Sequence, residues 1–343
     1  RGPGGRTATR RVTIAGAEVK FDHASPFFTA RTDTFKETIL AAWATAGLVA
    51  SWTGKGKCAS KGADDSTTVW VGTPSSNAIA KGLAEEVTFS GGTLLYGHHV
   101  QSASFHTTDQ EWLVLAKKRG APSGEDVAEF TFDALVLSDK LLLLPNTYAI
   151  LGEAEWGPLA LPMNLTSTCA IVLLIAFEAP VQGLIPGFVR LDSVAHAPLS
   201  LLVHDSAKPN RSNGGGSLDL YVAHSTAEYA AARMRGETIE DEEAVLAEMI
   251  EALRVALAEI TETTSPLPPI SFASVFGWDH AQPSTTSRIG DTHLYDEQRR
   301  AGVCGDFFLG GTAEGVEAAA LSGRALAEAM VQEECTQSQT CRM

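Results

Sequence analysis

Paired cysteines are missing from this chain of 343 residues: Cys58, Cys169, Cys304, Cys335 and Cys341 stand at irregular distances with no C-x-x-C among them. That spacing indicates neither a zinc site nor a disulfide framework, so a reducing compartment is expected, the cytosol or the interior of an organelle such as a plastid or mitochondrion, and not secretion. Basic residues are also scarce. The 26 Lys and Arg against 41 Asp and Glu give a formal charge of −15, which speaks against nucleic acid and anionic lipid as general partners. No apolar run is long enough to span a bilayer, which takes roughly 20 residues; the longest, Cys169 to Phe177, reads as a buried strand. No basic segment followed by an apolar one opens the chain, so no signal peptide is read, and the sequons at Asn164 and Asn210 are taken as chance patterns. The first residue is Arg1 and not Met, from which a processed, trimmed or upstream-continued chain is expected.

Two catalytic patterns are lacking as well. His204, Asp205 and Ser206 are consecutive, an order that rarely converges as a triad, and no G-x-S-x-G elbow is present. His98 and His99 are adjacent on a predicted strand and point to opposite faces, so no metal site is expected.

What is present is a mixed pattern of strands and helices. About 44% apolar residues over this length suits one large domain or two interleaved ones. A Gly/Pro-rich opening, Gly2 to Gly5, leads into a predicted strand at Arg10–Ile14. Phe35 to Trp52 reads as a helix with Phe35, Ile39, Trp43 and Leu48 near one face and a break at Gly47; Thr53 to Thr68 reads as a polar surface loop. Strands are predicted at Val69–Val71, Thr93–Val100, Ser102–Leu115, Phe130–Leu137, Thr166–Glu178 and Phe188–Val194, and a helix at Ser75–Glu86 with Ile79 and Leu83 on one side. Gly120–Gly124 and Asn210–Ser217 read as loops. Thr238 is the expected cap of a helix whose apolar stripe is Leu246, Met249, Ile250, Leu253, Leu257 and Ile260, stopped by Ser265-Pro-Leu-Pro-Pro269.

The end of the chain is the most informative. A strand at Val303-Cys304 meets Gly305-Asp306, then a Gly-rich loop, Gly310 to Gly315, then an Ala-rich helix to Met330. Small residues there admit a planar ligand, a helix start offers unpaired N–H groups to anionic oxygens, and an Asp at a strand end accepts hydrogen bonds from sugar hydroxyls. The run from Gly302 to Gly323 resembles the final flavin-binding segment of renalase-like, FAD-dependent amine-oxidase-related proteins. Arg1 to Arg11 is similar to that family's Gly-Gly-Arg loop, and Phe21-Asp-His23 with Phe28-Thr-Ala-Arg31 resembles the segment next in line after that loop. Val71 to Ala80 looks like the strand and helix that re-enter the cofactor domain. Ala197-Pro-Leu-Ser200, Asp205 to Pro209 and His224 to Glu228 are similar to substrate-domain strands, in the family's order over nearly the whole chain.

The resemblance implies an α/β fold, α+β overall, in which a Rossmann-like FAD-binding domain (1–20, 69–145 and 290–333) is interleaved with a sheet-plus-helices substrate domain (21–68 and 146–289), with 334–343 as a tail. It implies FAD as cofactor, with Gly4, Gly5 and Arg6 at the pyrophosphate and adenosine side and Val100 meeting adenine by its backbone. Gly305 and Asp306 would lie at the ribityl chain, and Gly315, Val316 and Glu317 would present the helix start to diphosphate and flavin ring. It names no catalytic acid or base. Trp278, His280 and Gln282 lie in the segment similar to the family's strand that returns to the flavin, so they are candidates for a substrate cavity. The substrate expected is an amine or NAD(P)H.

The sequence departs from the family in two places. A strand, G-x-G-x-x-G and a helix normally precede the Gly-Gly-Arg loop by about two dozen residues, and none of these is in this chain. Where the family often has Gly-Ala-Gln after Asp-His, Ala24-Ser25-Pro26 stands here, and Pro26 removes a backbone donor. Two expectations therefore stand side by side. With the fingerprint supplied upstream, the protein is a flavin oxidoreductase; with Arg1 as the true start, FAD is weakly held or absent and the chain is a pseudoenzyme, an accessory or structural subunit with a protein partner or a place in a larger assembly.

Overall fold

A computed structural model describes residues 2–55, 66–120, 127–144, 150–152, 157–161, 165–183, 187–191, 196–211, 218–262, 265–284 and 288–340. Outside them lie Arg1, Cys58 and the centre of the Thr53–Thr68 segment, Ala121–Gly124, Asn164, Val194, Ser212–Ser217 and Cys341.

The largest element is a five-stranded antiparallel sheet of β9 (Ser167–Phe177), β10 (Phe188–Arg190), β11 (Leu199–His204), β12 (Asp219–Ser225) and β15 (Ile270–Pro283), in the order β10-β11-β12-β9-β15. The unbroken apolar run of β9 is explained by cover on both faces. Ile171, Leu173, Ile175 and Phe177 pack with Met249, Leu253 and Leu257 of helix α4 (Glu242–Thr261), while Val172, Leu174 and Ala176 pack with Val19, Phe21, Trp52 and Val69 on the other side. Each such buried side chain is worth about 1.5–3 kcal/mol relative to exposure. The second cover is made by two hairpins, β1 (Arg10–Ile14) with β2 (Ala17–Phe21), and β3 (Val49–Lys55) with β4 (Ser66–Gly72).

A smaller three-stranded sheet carries β8 (Leu135–Leu137), β16 (Leu294–Asp296) and β17 (Ala301–Val303), with β17 parallel to β8. It shares a core with the antiparallel sheet of β5 (His98–His106), β6 (Glu111–Lys118) and β7 (Val127–Phe132), through Trp112, Val114, Leu137, Val303 and Phe308. Helix α5 (Gly315–Thr340) backs β17, where Gly302 leaves room for Leu326. Among the described residues the other helices longer than a single 3-10 turn are α1, a π-helical turn Phe35–Leu40 continued by Ala41–Thr45, α2 (Asn77–Phe89) and α3 (Ala227–Arg233); β13 (Met234–Arg235) and β14 (Thr238–Ile239) make a short hairpin before α4.

Several expected boundaries shift, each for a local reason. The first helix ends at Thr45 because Gly47 turns the chain at φ 71°, and Leu48 to Trp52 run into β3 instead. The flanks of the expected Thr53–Thr68 loop are strand, since Thr53 pairs with Thr68 and Gly54 with Thr67 across the hairpin. Residues 93–97 precede β5, which begins at His98, and the long strand expected over Ser102–Leu115 is a hairpin that turns at Thr107–Gln110, with Gln110 at φ 58°. Phe130–Leu137 breaks at Asp133-Ala134 into an antiparallel and a parallel strand. Thr238 is part of β14; the cap of α4 is Asp241, whose carboxylate accepts from the Ala244 N–H at 3.1 Å. On α2, Ile79 is buried as expected but Leu83 is exposed. Among the described residues no helix is long and apolar enough to cross a membrane.

Candidate functional site

Strands β8 and β17 run side by side and end at the same edge, so the chain leaves both at one place: through Ser138-Asp139-Lys140 after β8 and through Cys304-Gly305-Asp306 after β17. Crevices at the carboxyl ends of neighbouring parallel strands are where open α/β sheets bind ligands. Gly305 makes the exit from β17 at φ 154°, donates its N–H to Ser322 Oγ at 3.0 Å, and carries no Cβ, which would overlap the Phe307 ring. This turn aims the buried Asp306 carboxylate outward.

Arg6 reaches the same point from the other end of the sequence. Gly4 and Gly5 adopt φ 136° and 46°, and Thr7 closes the turn by donating its N–H and hydroxyl to the Gly4 carbonyl, both at 2.7 Å. The Arg6 guanidinium then forks onto Asp306, Nη1 to Oδ2 at 2.6 Å and Nη2 to Oδ1 at 2.7 Å, and Nη1 also donates to the Ala281 carbonyl at 3.3 Å. Burial opposes the Arg6 charge, yet the Asp306 carboxylate outweighs it and holds the guanidinium above its ordinary pKa.

Beside this pair opens a cavity of about 710 Å³, within the roughly 300–1,000 Å³ range of small-molecule sites. Its wall is electrically divided. Arg6, Asp139, Lys140 and Asp306 stand on the side of β8 and β17, where formal charges balance; the opposite side is acidic, with Glu237, Glu242 and Asp279 contributed by the β13–β14 hairpin, the start of α4 and the end of β15. Phe276, Trp278 and Phe307 supply aromatic surface, with His280 beside them. Two wall atoms, Ser167 Oγ and Trp278 Nε1, are buried without a hydrogen-bond partner in the protein. Lys140 is only 6% exposed and donates to the Thr166 carbonyl at 3.0 Å; burial, aided by Arg6, pulls its ammonium below the ordinary lysine pKa against the opposing pull of Asp306.

Behind Phe276 and Trp278 lies a second polar layer. The His23 ring meets Phe276 edge-on at 5.1 Å and tilts over Trp278 at 5.3 Å. Burial, then Arg10, drives His23 down to about 4; burial, then His23 and Lys208, drives His224 down to about 4. Both imidazoles are thus neutral near pH 7. Next to His23, Asp22 receives the Ser76 N–H at 2.9 Å, the Thr9 hydroxyl at 2.7 Å, Lys208 Nζ at 3.0 Å and Arg211 Nη2.

Of the residues singled out in the sequence, Gly5, Arg6 and Asp306 meet at the cavity wall, with Gly4 and Gly305 shaping the turns that bring them there. Trp278 and His280 line it too; Gln282 does not, and its carbonyl accepts from Thr168 at 3.5 Å on β9. Val100 sits on β5 at a bulge, packed on the β8–β17 core and off the cavity wall. Gly315 starts α5 at φ 55°, and Val316 packs toward Phe28, Phe35 and Trp43. Glu317 is wholly buried: its carboxylate takes the Arg31 N–H at 2.9 Å, the Thr32 N–H at 2.8 Å and the Thr32 hydroxyl at 2.7 Å, so its oxygens are spent on the loop before α1. The hydrolase pattern is dispersed, with His204 bonded to Asp219 at 2.6 Å, Asp205 paired with Lys208 at 2.6 Å, and Ser206 Oγ accepting the Leu220 N–H at 2.6 Å. Sequence reading missed Lys140, Ser167, Glu237, Glu242 and Asp279, whose only local signal is a polar residue at a strand or helix end.

No protein-family model and no curated protein sequence matches the chain. Among solved structures, an oxidoreductase from Methanosarcina mazei superposes with a TM-score of 0.50 at 14% identity, over 77% of this chain and 56% of that one. Aklavinone-11 hydroxylase in ternary complex with FAD and aklavinone is matched more loosely, TM-score 0.48 at 12% identity over 89% of this chain and 53% of that one. A flavoprotein/dehydrogenase from Cytophaga hutchinsonii gives 0.43 at 11% identity over 91% and 70%. This chain spans little more than half the length of the Methanosarcina protein. At such identities the likeness is one of fold, and the chain has the mixed α/β architecture of that oxidoreductase.

Proposed function

We propose that the chain is the greater part of an FAD-dependent oxidoreductase of the renalase and amine-oxidase type, with residues 1–20, 69–145 and 290–333 on the cofactor side and 21–68 and 146–289 on the substrate side. The observation that carries this reading is the junction of Arg6 with Asp306 at the shared end of β8 and β17, 300 residues apart in sequence, on the wall of the cavity. The donor set fits the cofactor. Ser167 Oγ and Trp278 Nε1 are buried polar groups awaiting partners, as the heteroatom edge of a flavin provides, and Phe276, Trp278 and Phe307 offer faces to a planar ring. Arg6 and Asp306 would hold the phosphate and ribityl portions. The cofactor would supply hydride acceptance from an amine or a reduced nicotinamide. The chain's own residues would bind it, exclude water with the aromatic wall, and present neutral His23 and His224 behind that wall.

A second reading is favoured by one feature of the same pair: Arg6 occupies both Asp306 oxygens, closing the site on itself. On that reading the chain is a non-catalytic subunit of degenerate flavoprotein fold. Visible absorption of the natively purified protein, together with mass spectrometry of its N-terminus, decides between them. Bound FAD supports the oxidoreductase; a flavin-free protein that starts at Arg1 and takes up no added FAD excludes it.

A further inference from the structure

A lysine buried against a cavity can act through its nitrogen as well as through its charge. Lys140 follows Ser138-Asp139 at the end of β8, is 6% exposed and lines the cavity. Its backbone is fixed: it opens the 3-10 turn Lys140–Leu142, capped by the Asp139 carboxylate, which accepts the Leu141 N–H at 3.0 Å. Its Nζ donates to a neutral acceptor, the Thr166 carbonyl, at 3.0 Å, and makes no ion pair among the described residues. The carboxylates on its own side of the cavity are engaged elsewhere, Asp306 by the Arg6 fork, Asp139 by the Leu141 N–H and by solvent. Those of the opposite side, Glu237, Glu242 and Asp279 with its neighbour His280, favour the ammonium from across the cavity. Burial and Arg6 outweigh the pull of Asp306 and Asp139, so this nitrogen gives up its proton more readily than an ordinary lysine does. Desolvation beside a second cation is one way a lysine becomes a nucleophile toward carbonyl compounds.

The rest of the wall selects what this nitrogen meets. Its carboxylates, Asp139, Asp306, Glu237, Glu242 and Asp279, outnumber its cations, Arg6 and Lys140, so the lining disfavours an anionic carbonyl compound. Phe276, Trp278 and Phe307 offer apolar faces to a hydrocarbon tail. We infer that Lys140 is a covalent site for an aldehyde with an apolar or cationic tail, held as an imine on Nζ. The inference goes beyond the flavin reading and does not depend on it. In the step, the lone pair of the neutral Nζ bonds to the carbonyl carbon, and the carbonyl oxygen leaves as water with the two nitrogen protons; nothing is oxidised or reduced. The imine nitrogen then takes one proton from solvent, and its N–H replaces the ammonium as donor to the Thr166 carbonyl.

The test is reductive trapping on the full chain: 3-phenylpropanal with cyanoborohydride, which reduces the protonated imine to a stable secondary amine, read lysine by lysine by peptide mass spectrometry. The exposed Lys36 and Lys118 serve as references on the same molecule. Expected is labelling of Lys140 about tenfold faster than of either reference at neutral pH, with a rate that reaches its half-maximum at lower pH than theirs. Glyoxylate, an anionic aldehyde, is expected to show no such preference. Lys140→Arg, which keeps the charge and a donor for the Thr166 carbonyl, is expected to lose the fast adduct and leave the labelling of Lys36 and Lys118 unchanged. Lys140 labelled no faster than the references overturns the site. So does a preference that persists in the guanidinium-unfolded chain, which marks local sequence and not the cavity. An equal preference for glyoxylate overturns selection by the acidic wall. A protein that takes up no flavin but forms the adduct keeps this site without the flavin reading, and a flavoprotein labelled without preference does the reverse.

Discussion

Two knots of opposite charges hold distant parts of this chain together, and they differ in how they meet solvent. Asp22, Lys208 and Arg211 are sealed, with side-chain exposures of 0%, 0% and 1%, and tie the end of β2 to the loop after β11. Arg6 and Asp306, at 38% and 8%, tie the N-terminal loop to the end of β17 at the rim of a cavity. The sealed knot has nothing to exchange its bonds with, so its charges act on the fold. The open knot can trade bonds with water or a ligand, so its charges act on binding. Position along the elements produces the difference: Asp22 is enclosed by Thr9, Ser76, Lys208 and Arg211 from three other parts of the chain, whereas Asp306 lies beyond the last residue of its strand.

The largest expected effect concerns the sealed knot. Burial raises the cost of the Asp22 charge, but Lys208 and Arg211, with the Ser76 N–H, overcome it and hold the carboxyl well below the usual carboxylate range. Asp22→Asn leaves Asp205 as the one carboxylate facing two buried cations, Lys208 and Arg211, and is expected to remove about 3–5 kcal/mol of stability, read from guanidinium unfolding midpoints. Asp306→Asn, at the open knot, is expected to cost far less. Equal losses at the two sites would abolish the distinction between a sealed and an open knot.

Titration sharpens the same comparison with a somewhat smaller effect. His23 and His224 bind protons less readily folded, at about 4, than unfolded, at about 6.5. Between these values the unfolded chain holds more protons, so stability falls as pH drops from about 6.5 toward 4, by roughly 3 kcal/mol for one such group. Asp22 acts lower down: its contribution is present above the ordinary aspartate value near 3.8 and is lost as pH falls through it and below. Unfolding free energy measured from pH 8 to 3 is expected to decline in that order. His23→Phe, which removes the first titration, is expected to flatten the upper limb; an unaltered limb would move the proton uptake to other groups.

How much of this was readable in the sequence depends on range. Periodicity located β9, α4 and the strand–Gly–Asp–helix end, because those elements bury one stripe or one uninterrupted run whose pattern is local. It misplaced the turn at Thr107–Gln110 and the break at Asp133-Ala134, where a single positive φ or a change of strand partner ends an element without a Gly or Pro to mark it. At the site, Gly5, Arg6 and Asp306 were legible as motif residues, but their bonding to each other was not, since a pair 300 positions apart leaves no spacing to read. At Glu317 the helix-start position gave no sign that its carboxylate is held within the protein by the Arg31 and Thr32 N–H groups, again nearly 290 positions away.

The smallest expected change in stability tests the open knot most directly. Arg6→Ala removes a fork on Asp306, but with Arg6 more than a third exposed, water replaces much of what is lost, and the unfolding free energy is expected to fall by only about 1 kcal/mol or less. Binding is expected to respond differently. Freed of Arg6, Asp306 becomes an unpaired carboxylate on the wall of the cavity, facing the phosphates that the flavin reading places there, so FAD affinity is expected to drop by more than tenfold while riboflavin affinity changes little. Arg6→Lys separates charge from geometry: a point charge retains attraction for phosphate but not the two-pronged bond to Asp306, so its FAD affinity is expected between those of wild type and Arg6→Ala. A variant that unfolds as readily as Asp22→Asn, with flavin binding intact, would make the Arg6–Asp306 junction a second structural knot and take from the cavity its claim to be the site.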